Sequence, residues 1–113
     1  MRAIHHVSVV VGDLEKSAAF YERALGFRRR TDRPGQLGPG VWLDVGDQQL
    51  HLIEGTPPPA QGQHFAVFAD DLDAEIRRLR TEGIDVSDPL PIGSMRQAFL
   101  TDPAGNAIEL HGE

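Results

Sequence analysis

The amino-acid sequence repeats itself with a shift of 58 residues, and this repeat restricts the possible folds more than any other feature. The stretch HVSVVVGDL, which begins at His6, superposes on HFAVFADDL, which begins at His64. The same shift brings Asp44 onto Asp102 and Leu52 onto Leu110. Self-similarity at a fixed shift is the signature of duplicated structural units. We therefore expect two copies of one unit in this chain.

Each half begins with a pattern that is typical of a strand followed by a helix. Apolar residues alternate with other residues, as in a strand that buries one face, and an aspartate then stands where a helix N-cap belongs. A glycine follows each apolar helical stripe, as is common at the end of a helix. These positions are the alternating Val7, Val9 and Val11, the caps Asp13 and Asp71, and the glycines Gly26 and Gly83.

Three short strand candidates follow each predicted helix, so that the unit is predicted to be βαβββ. The fold class is accordingly α+β, with two βαβββ modules that form a cleft-lined, barrel-like sheet with the helices outside. We expect one domain in which residues 1–54 form the first module, residues 55–63 a linker and residues 64–113 the second module. The candidates are FRRRTD, GVWLDVG and QQLHLIE in the first half, and IDVSDP, RQAFLTDP and NAIELHG in the second.

The linker contains three consecutive prolines in the stretch EGTPPPAQGQ. Proline lacks a backbone N–H and has a fixed φ, so this stretch is predicted to be stiff and extended. A stiff linker hinders the two modules of one chain from facing each other, and we therefore expect a homodimer with two clefts.

Composition excludes several kinds of partner and site. Seventeen acidic and eleven basic residues give a net charge of −6, which is the wrong sign for binding the phosphates of nucleic acid. The chain has no cysteine, so neither disulfides nor thiolate metal sites are available. The apolar run near the N-terminus is too short for a signal peptide or a membrane span. We expect a cytoplasmic protein that binds a small-molecule substrate, with no nucleic-acid or membrane partner.

Four side chains suited to metal binding occupy two repeat-related positions. His6 corresponds to His64, and His51 corresponds to Glu109. By strand alternation, His51 and Glu109 point away from the helix-packing leucines beside them. Taken singly, each histidine is more simply a hydrogen-bonded structural residue, and Glu109 an exposed strand residue. Together they predict a site for one divalent ion of Zn, Fe, Ni, Mn or Co.

Arg96 precedes a strand that enters the predicted cleft, where its guanidinium would hold a substrate carboxylate or phosphate. The alternative is an ordinary surface arginine. We interpret the aromatic residues Trp42, Phe68 and Phe99 as core residues, because aromatic side chains on strands usually are.

The sequence resembles the vicinal oxygen chelate superfamily, which includes glyoxalases, bleomycin-resistance proteins and extradiol dioxygenases. The resemblance lies in HHVSVVVGDLEKSAAFYERALGF, LHLIE, QHFAVFADDLD and FLTDPAGNAIEL, which together cover nearly the whole chain. It implies paired βαβββ modules around one divalent metal, with His6, His64 and Glu109 as ligands. Position 51 departs from the family pattern, because glyoxalase I enzymes usually have glutamate there and methylmalonyl-CoA epimerases glutamine.

The resemblance and the residues together favour a divalent-metal-dependent enzyme that acts on a small substrate with vicinal oxygens. We favour lyase or isomerase chemistry, in which Glu109 anchors the metal and serves as base while Arg96 orients the substrate. One alternative is an extradiol-type dioxygenase. The other is a non-catalytic dimer that binds a drug or antibiotic, as the bleomycin-resistance members do.

Overall fold

The computed structural model describes all 113 residues, which form two compact units. The first unit comprises residues 1–59 together with residues 102–105, and the second comprises residues 60–101 and 106–113. The first half of the chain contains β1 (His6–Val11), α1 (Leu14–Leu25), β2 (Arg28–Arg29), β3 (Gly40–Val45) and β4 (Gln48–Glu54). The second half contains β5 (His64–Phe68), α2 (Leu72–Thr81), β6 (Leu90–Ile92), β7 (Met95–Thr101) and β8 (Ala107–Gly112).

Both halves have the βαβββ topology that the repeat predicts. The first sheet has the order β1-β4-β3-β2, and the second has the equivalent order β5-β8-β7-β6. In each sheet the first strand is parallel to the last strand of its half, while the other neighbours are antiparallel. The α+β fold class is thus confirmed. Each sheet is open and four-stranded, and it is not closed into a barrel.

The core of the first unit lies between α1 and one face of its sheet. Leu43, Leu50 and Leu52 are buried on this face, and the helix contacts β2, β3 and β4. The helix buries Ala18 and Tyr21, as its apolar spacing predicts. Burial of these apolar side chains is the main favourable contribution to folding. Because side chains alternate along a strand, the residues between the leucines point to the other face.

The second unit repeats this arrangement with its own residues. Helix α2 buries Leu72, Ile76 and Leu79, and β8 contributes Ile108 and Leu110. At the end of β8, Gly112 lies against the backbone carbonyl of Ala69, where a side chain would overlap with it. The strand parity of both halves therefore matches the prediction.

The two predicted helix caps are confirmed. Asp13 accepts a hydrogen bond from the Lys16 amide, and Asp71 accepts one from the Ala74 amide, each at 3.0 Å. Gly26 has a φ of 69°, a left-handed conformation that ends α1 at little cost because glycine has no Cβ.

Replacing Asp71 with alanine is expected to lower the free energy of unfolding by about 1 kcal/mol, because an amide of the first turn loses its acceptor. Urea denaturation followed by circular dichroism measures the change. Asp70→Ala is the matched control, since Asp70 is exposed and adjacent but does not cap the helix. Equal effects of the two substitutions would contradict the capping role of Asp71.

One predicted strand lies elsewhere. The sequence pattern predicts a strand in IDVSDP, residues 84–89, whereas β6 is Leu90–Ile92. Ser87 instead makes two hydrogen bonds to the backbone of Phe99, from its amide to the carbonyl and from the Phe99 amide to its hydroxyl. The serine hydroxyl thus takes the place of a backbone acceptor, and continuous pairing with β7 begins only at Leu90.

A buried hydrogen bond joins α1 to residues 102–105 within the first unit. The hydroxyl of Tyr21 donates to Oδ2 of Asp102 at 2.7 Å, and both residues are buried. Burial, followed by the hydrogen bond and negative charge of Asp102, raises the pKa of Tyr21 far above its usual range. Asp102 also accepts a hydrogen bond from the Ala104 amide, which shapes the turn.

The two helices contain 12 and 10 residues, and neither has the length and apolar character that crossing a membrane requires.

Candidate functional site

His64 and Glu109 lie side by side on the face of the second sheet that α2 does not cover. They stand on the parallel neighbours β5 and β8, where His64 pairs with Ala107 and Ala66 pairs with Glu109. The His64 Nε2 atom lies 3.0 Å from Glu109 Oε1. The two residues thus meet because neighbouring strands place them on one face.

The hydrogen bond of His64 to the backbone requires a proton on Nδ1 of its ring. Nδ1 lies 2.9 Å from the carbonyl oxygen of Gly62, and a carbonyl oxygen only accepts. Nδ1 therefore donates, and in the neutral ring the lone pair belongs to Nε2, which faces the carboxylate. Two lone-pair donors in contact repel each other unless a proton or a cation lies between them. This arrangement, with an outer partner on the second nitrogen, is also the usual one for a metal-binding histidine.

Glu109 is not the ordinary exposed strand glutamate, since only 8% of it is accessible to solvent. Its second oxygen, Oε2, accepts a hydrogen bond of 2.9 Å from Nδ1 of His111. A buried carboxylate costs free energy unless charged or hydrogen-bonded partners surround it. Here His111 supplies one such hydrogen bond, and Phe99 packs edge-on against the ring of His64 at 5.3 Å.

Three aromatic rings stack across the uncovered face of the first sheet. The ring of His51 lies between those of His6 and Trp42, with centroid separations of 3.9 Å and 4.6 Å and interplanar angles of 13°. Their strands β1, β4 and β3 are neighbours in that order, which places the rings in a row. We call His6, His51 and Trp42 the ring row.

His51 is the buried member of the ring row, and its position determines its charge. Burial is the largest cause that lowers its pKa, to about 4, and electrostatic interactions with His6, His5 and two arginines lower it further. The ring is consequently neutral at pH 7. Nε2 lies 2.8 Å from the amide oxygen of Gln49, so this nitrogen donates and Nδ1 keeps the lone pair.

His6 has a partner that the sequence analysis did not predict. Its Nδ1 atom lies 3.0 Å from Nδ1 of His5, so one of the two nitrogens donates to the other. This hydrogen bond involves the edge of the His6 ring, whereas the face of the ring stacks on His51.

The four predicted metal ligands thus occur as two pairs, one in each unit. His6 and His51 lie together in the first unit, and His64 and Glu109 lie together in the second. No group of three or more His, Asp or Glu side chains in the structure is arranged to hold a metal ion. The full set of four ligands therefore stays a prediction.

Arg96, predicted to orient the substrate, forms an ion pair with Asp73. Two of its nitrogens lie 3.1 Å from the two Asp73 oxygens, and one also donates to the carbonyl of Glu113. On β7, Arg96 shares the face of the buried Ala98, whereas Phe99 pairs with Glu109 on the opposite face. A role of Arg96 with the substrate stays a prediction, and this ion pair does not support it.

A pocket of about 370 Å³ lies along the ring row in the first unit. The loop between β2 and β3 contributes Arg33, Leu37 and Pro39 to its lining. Arg33 was not predicted as a site residue, although the surrounding RPGQLGPG, with its glycines and prolines, indicates a loop that can approach a site closely. The interpretation of Phe68 as a core residue is wrong, since 66% of it is exposed. Trp42, also interpreted as a core residue, lines this pocket.

Comparison with known proteins agrees with the fold and the residue pattern. The family model described as the Glyoxalase/Bleomycin resistance protein/Dioxygenase superfamily matches residues 3–110. A lactoylglutathione lyase of Neisseria meningitidis serogroup A is 32% identical, over 92% of this chain and 86% of that protein.

Two solved structures are similar over nearly the whole chain. A glyoxalase family protein of Bacillus anthracis has a TM-score of 0.89 at 25% identity, covering 100% of this chain and 97% of that one. TnmS3, an antibiotic binding protein from Streptomyces sp. CB03234, has a TM-score of 0.83 at 33% identity, covering 97% and 94%. With the duplicated βαβββ units and the histidine and glutamate positions described above, these matches show that the chain belongs to the Glyoxalase/Bleomycin resistance protein/Dioxygenase superfamily.

Proposed function

We propose that the protein is a divalent-metal-dependent enzyme that acts on a small substrate with two neighbouring oxygen atoms, by lyase or isomerase chemistry. The observation that carries the proposal is the contact between His64 and Glu109. The Gly62 carbonyl accepts the Nδ1 proton of His64, so in the neutral ring the Nε2 lone pair faces a buried carboxylate oxygen at 3.0 Å. A cation that both atoms bind removes the repulsion between them.

The side chains present fit a metal of the Zn, Fe, Ni, Mn or Co group. Imidazole nitrogen and carboxylate oxygen suit these ions, and the chain offers no thiolate. His64 and Glu109 would be ligands from the second unit, and His6 and His51 from the first. Because the linker is stiff, we also propose that the protein is a homodimer. Size-exclusion chromatography at micromolar concentration measures its oligomeric state.

Glu109 is suited to hold the ion and to accept a proton. His111 holds Oε2 in place, and Oε1 lies beside His64. A carboxylate fixed in this way can take a proton from a substrate carbon next to a carbonyl group. Only 8% of Glu109 is exposed, which limits competition from water. A bound divalent ion supplies Lewis-acid polarisation of the substrate oxygens.

Metal analysis of the purified protein tests the proposal. We expect wild-type protein to retain a divalent ion after dialysis, and His6→Ala, His64→Ala and Glu109→Ala to bind it more than about 100-fold more weakly, since even outer partners contribute 10–100-fold. His111→Ala is expected to weaken binding by about 10–100-fold. Glu54→Ala, which removes an exposed carboxylate at the end of β4, is the matched control.

A wild-type protein that binds no divalent ion would overturn the proposal. If the protein does bind a divalent ion, two activity assays separate the remaining possibilities. Turnover of thiohemiacetals indicates lyase or isomerase chemistry, whereas oxygen uptake in the presence of catechols indicates a dioxygenase.

The second candidate is a non-catalytic protein that binds a drug or antibiotic. The pocket along the ring row favours it, because stacked rings suit a planar ligand, and the similar TnmS3 is an antibiotic binding protein. Saturable binding of such a compound by a protein that holds no metal would support this candidate over the enzyme.

A further inference from the structure

The loop between β2 and β3 holds an arginine over the pocket along the ring row. Nη1 of Arg33 donates to the carbonyl oxygen of Gly38 at 2.5 Å. The guanidinium lies directly on Gly40, where the Cβ of any other residue would overlap with Nη2, Cζ and Nε. The guanidinium of Arg33 can therefore pack here only because Gly40 has no side chain, and the Gly38 carbonyl fixes its orientation.

Arg33 differs from the other half-buried arginines because it has no carboxylate partner. The other half-buried arginines have similar exposed fractions, and each pairs with at least one Asp or Glu within 3.1 Å. They are Arg29, Arg30 and Arg96. The only hydrogen bond of Arg33 is the one to Gly38, and its Nε atom is buried without a partner. A half-buried guanidinium with unused N–H groups is a strong binding group for an anion.

The charge of the residues that line the pocket also favours an anion. Its lining contains the cationic Arg33, and it contains no Asp or Glu. This absence stands out in a chain of net charge −6, in which carboxylates pair with the half-buried Arg29, Arg30 and Arg96. A pocket lined in this way favours an anion over a cation or a neutral molecule.

Apart from Ser8, the remaining residues that line the pocket are aromatic or apolar. Trp42 stacks on His51 in nearly parallel planes, and Leu37 and Pro39 add apolar surface, with Leu37 55% exposed. An aromatic ligand gains both apolar burial and ring stacking on such a surface. The volume of about 370 Å³ lies within the range of small-molecule pockets.

From these observations we infer that the pocket binds a planar aromatic carboxylate, with Arg33 holding the carboxylate and Trp42 contacting the aromatic plane. The inference deepens the proposed function and rests on it in one respect, namely that the substrate enters beside His6 and His51. Arg33 then sets the specificity for acids, and Trp42 sets the specificity for planar rings.

Isothermal titration calorimetry of the full chain, after treatment with a chelator, tests the inference with naphthalene-2-carboxylate. Arg33→Gln is expected to weaken binding by about tenfold or more, because a charge-assisted hydrogen bond is lost. The carboxamide analogue is expected to bind wild-type protein about tenfold or more weakly and to be insensitive to Arg33→Gln. The saturated decahydronaphthalene-2-carboxylate, which keeps the charge but is not planar, is expected to bind more weakly to wild-type protein and to lose little further on Trp42→Leu.

Arg23→Gln is the matched control, since it removes the same charge from an exposed position on α1 of the same unit. We expect it to change the dissociation constant by less than about twofold, as for an ordinary surface substitution. The inference is overturned if Arg33→Gln binds like wild-type protein, if acid and amide bind equally, or if wild-type protein shows no saturable binding. Because the titration uses chelated protein, its outcome is independent of the metal analysis that tests the enzyme function.

Discussion

Replacing Asp102 with alanine is expected to lower the free energy of unfolding by about 2–4 kcal/mol. The carboxylate accepts hydrogen bonds from the Tyr21 hydroxyl at 2.7 Å and from the Ala104 amide at 2.9 Å. Only 4% of Asp102 is exposed, and Tyr21 is fully buried, so solvent cannot readily replace the lost partner. Urea denaturation followed by both circular dichroism and fluorescence measures the effect.

A double-mutant cycle with Tyr21→Phe isolates this hydrogen bond. Each single substitution leaves a buried polar group with one partner fewer, whereas the double substitution removes both groups. We therefore expect the double variant to be more stable than the sum of the single effects predicts, by about 1 kcal/mol or more. Asp85→Ala, at an exposed position, serves as control for loss of charge. Additive single effects would show that the bond between Tyr21 and Asp102 does not stabilise the unit.

Replacing Leu110 with alanine is expected to destabilise the protein by about 2–5 kcal/mol, the usual cost of a cavity in a packed core. Leu110 is 1% exposed, and β8 lies between β5 and β7, so side chains on both neighbouring strands restrict collapse of the cavity. The substitution is adjacent to Glu109, and it tests how firmly the core supports this residue. The midpoint and slope of a urea transition measure the change.

Leu90→Ala provides the matched control within the same sheet. Leu90 stands on the edge strand β6 and is 62% exposed, so we expect a change of less than about 1 kcal/mol. Helix α2 packs on β8, so we expect the two costs to differ. A similar loss of stability at both positions would contradict the stabilising role of burial on β8.

Local patterns were sufficient to predict most of the fold. The strand alternation, the caps Asp13 and Asp71 and the glycine at the end of α1 are each determined by residues within a few positions of one another. The same alternation predicted that His51 and Glu109 point away from the helices. The edge strand β6 was misplaced because its position depends on pairing with β7, which local composition does not encode.

The partners of repeat-related residues show where the sequence pattern stops being informative. Asp44 and Asp102 occupy equivalent positions of the two halves, yet Asp44 forms an ion pair with Arg30 at 2.8 Å, whereas Asp102 accepts a hydrogen bond from Tyr21. The segment 102–105 belongs to the first unit although it lies in the second half of the chain. Repetition predicts equivalent positions in the backbone, but it does not predict equivalent contacts.

The sequence by itself determined the duplicated units, the faces of their strands and the identity of the residues that suit a metal. The tertiary structure alone decided that His64 keeps its proton on Nδ1, that His51 is enclosed between two rings and that Arg33 has no carboxylate partner. The physical reason is the separation along the chain between the residues that determine each feature. Periodicity and capping arise from neighbours along the chain, whereas protonation, burial and ion pairing depend on atoms that come together only when distant segments pack.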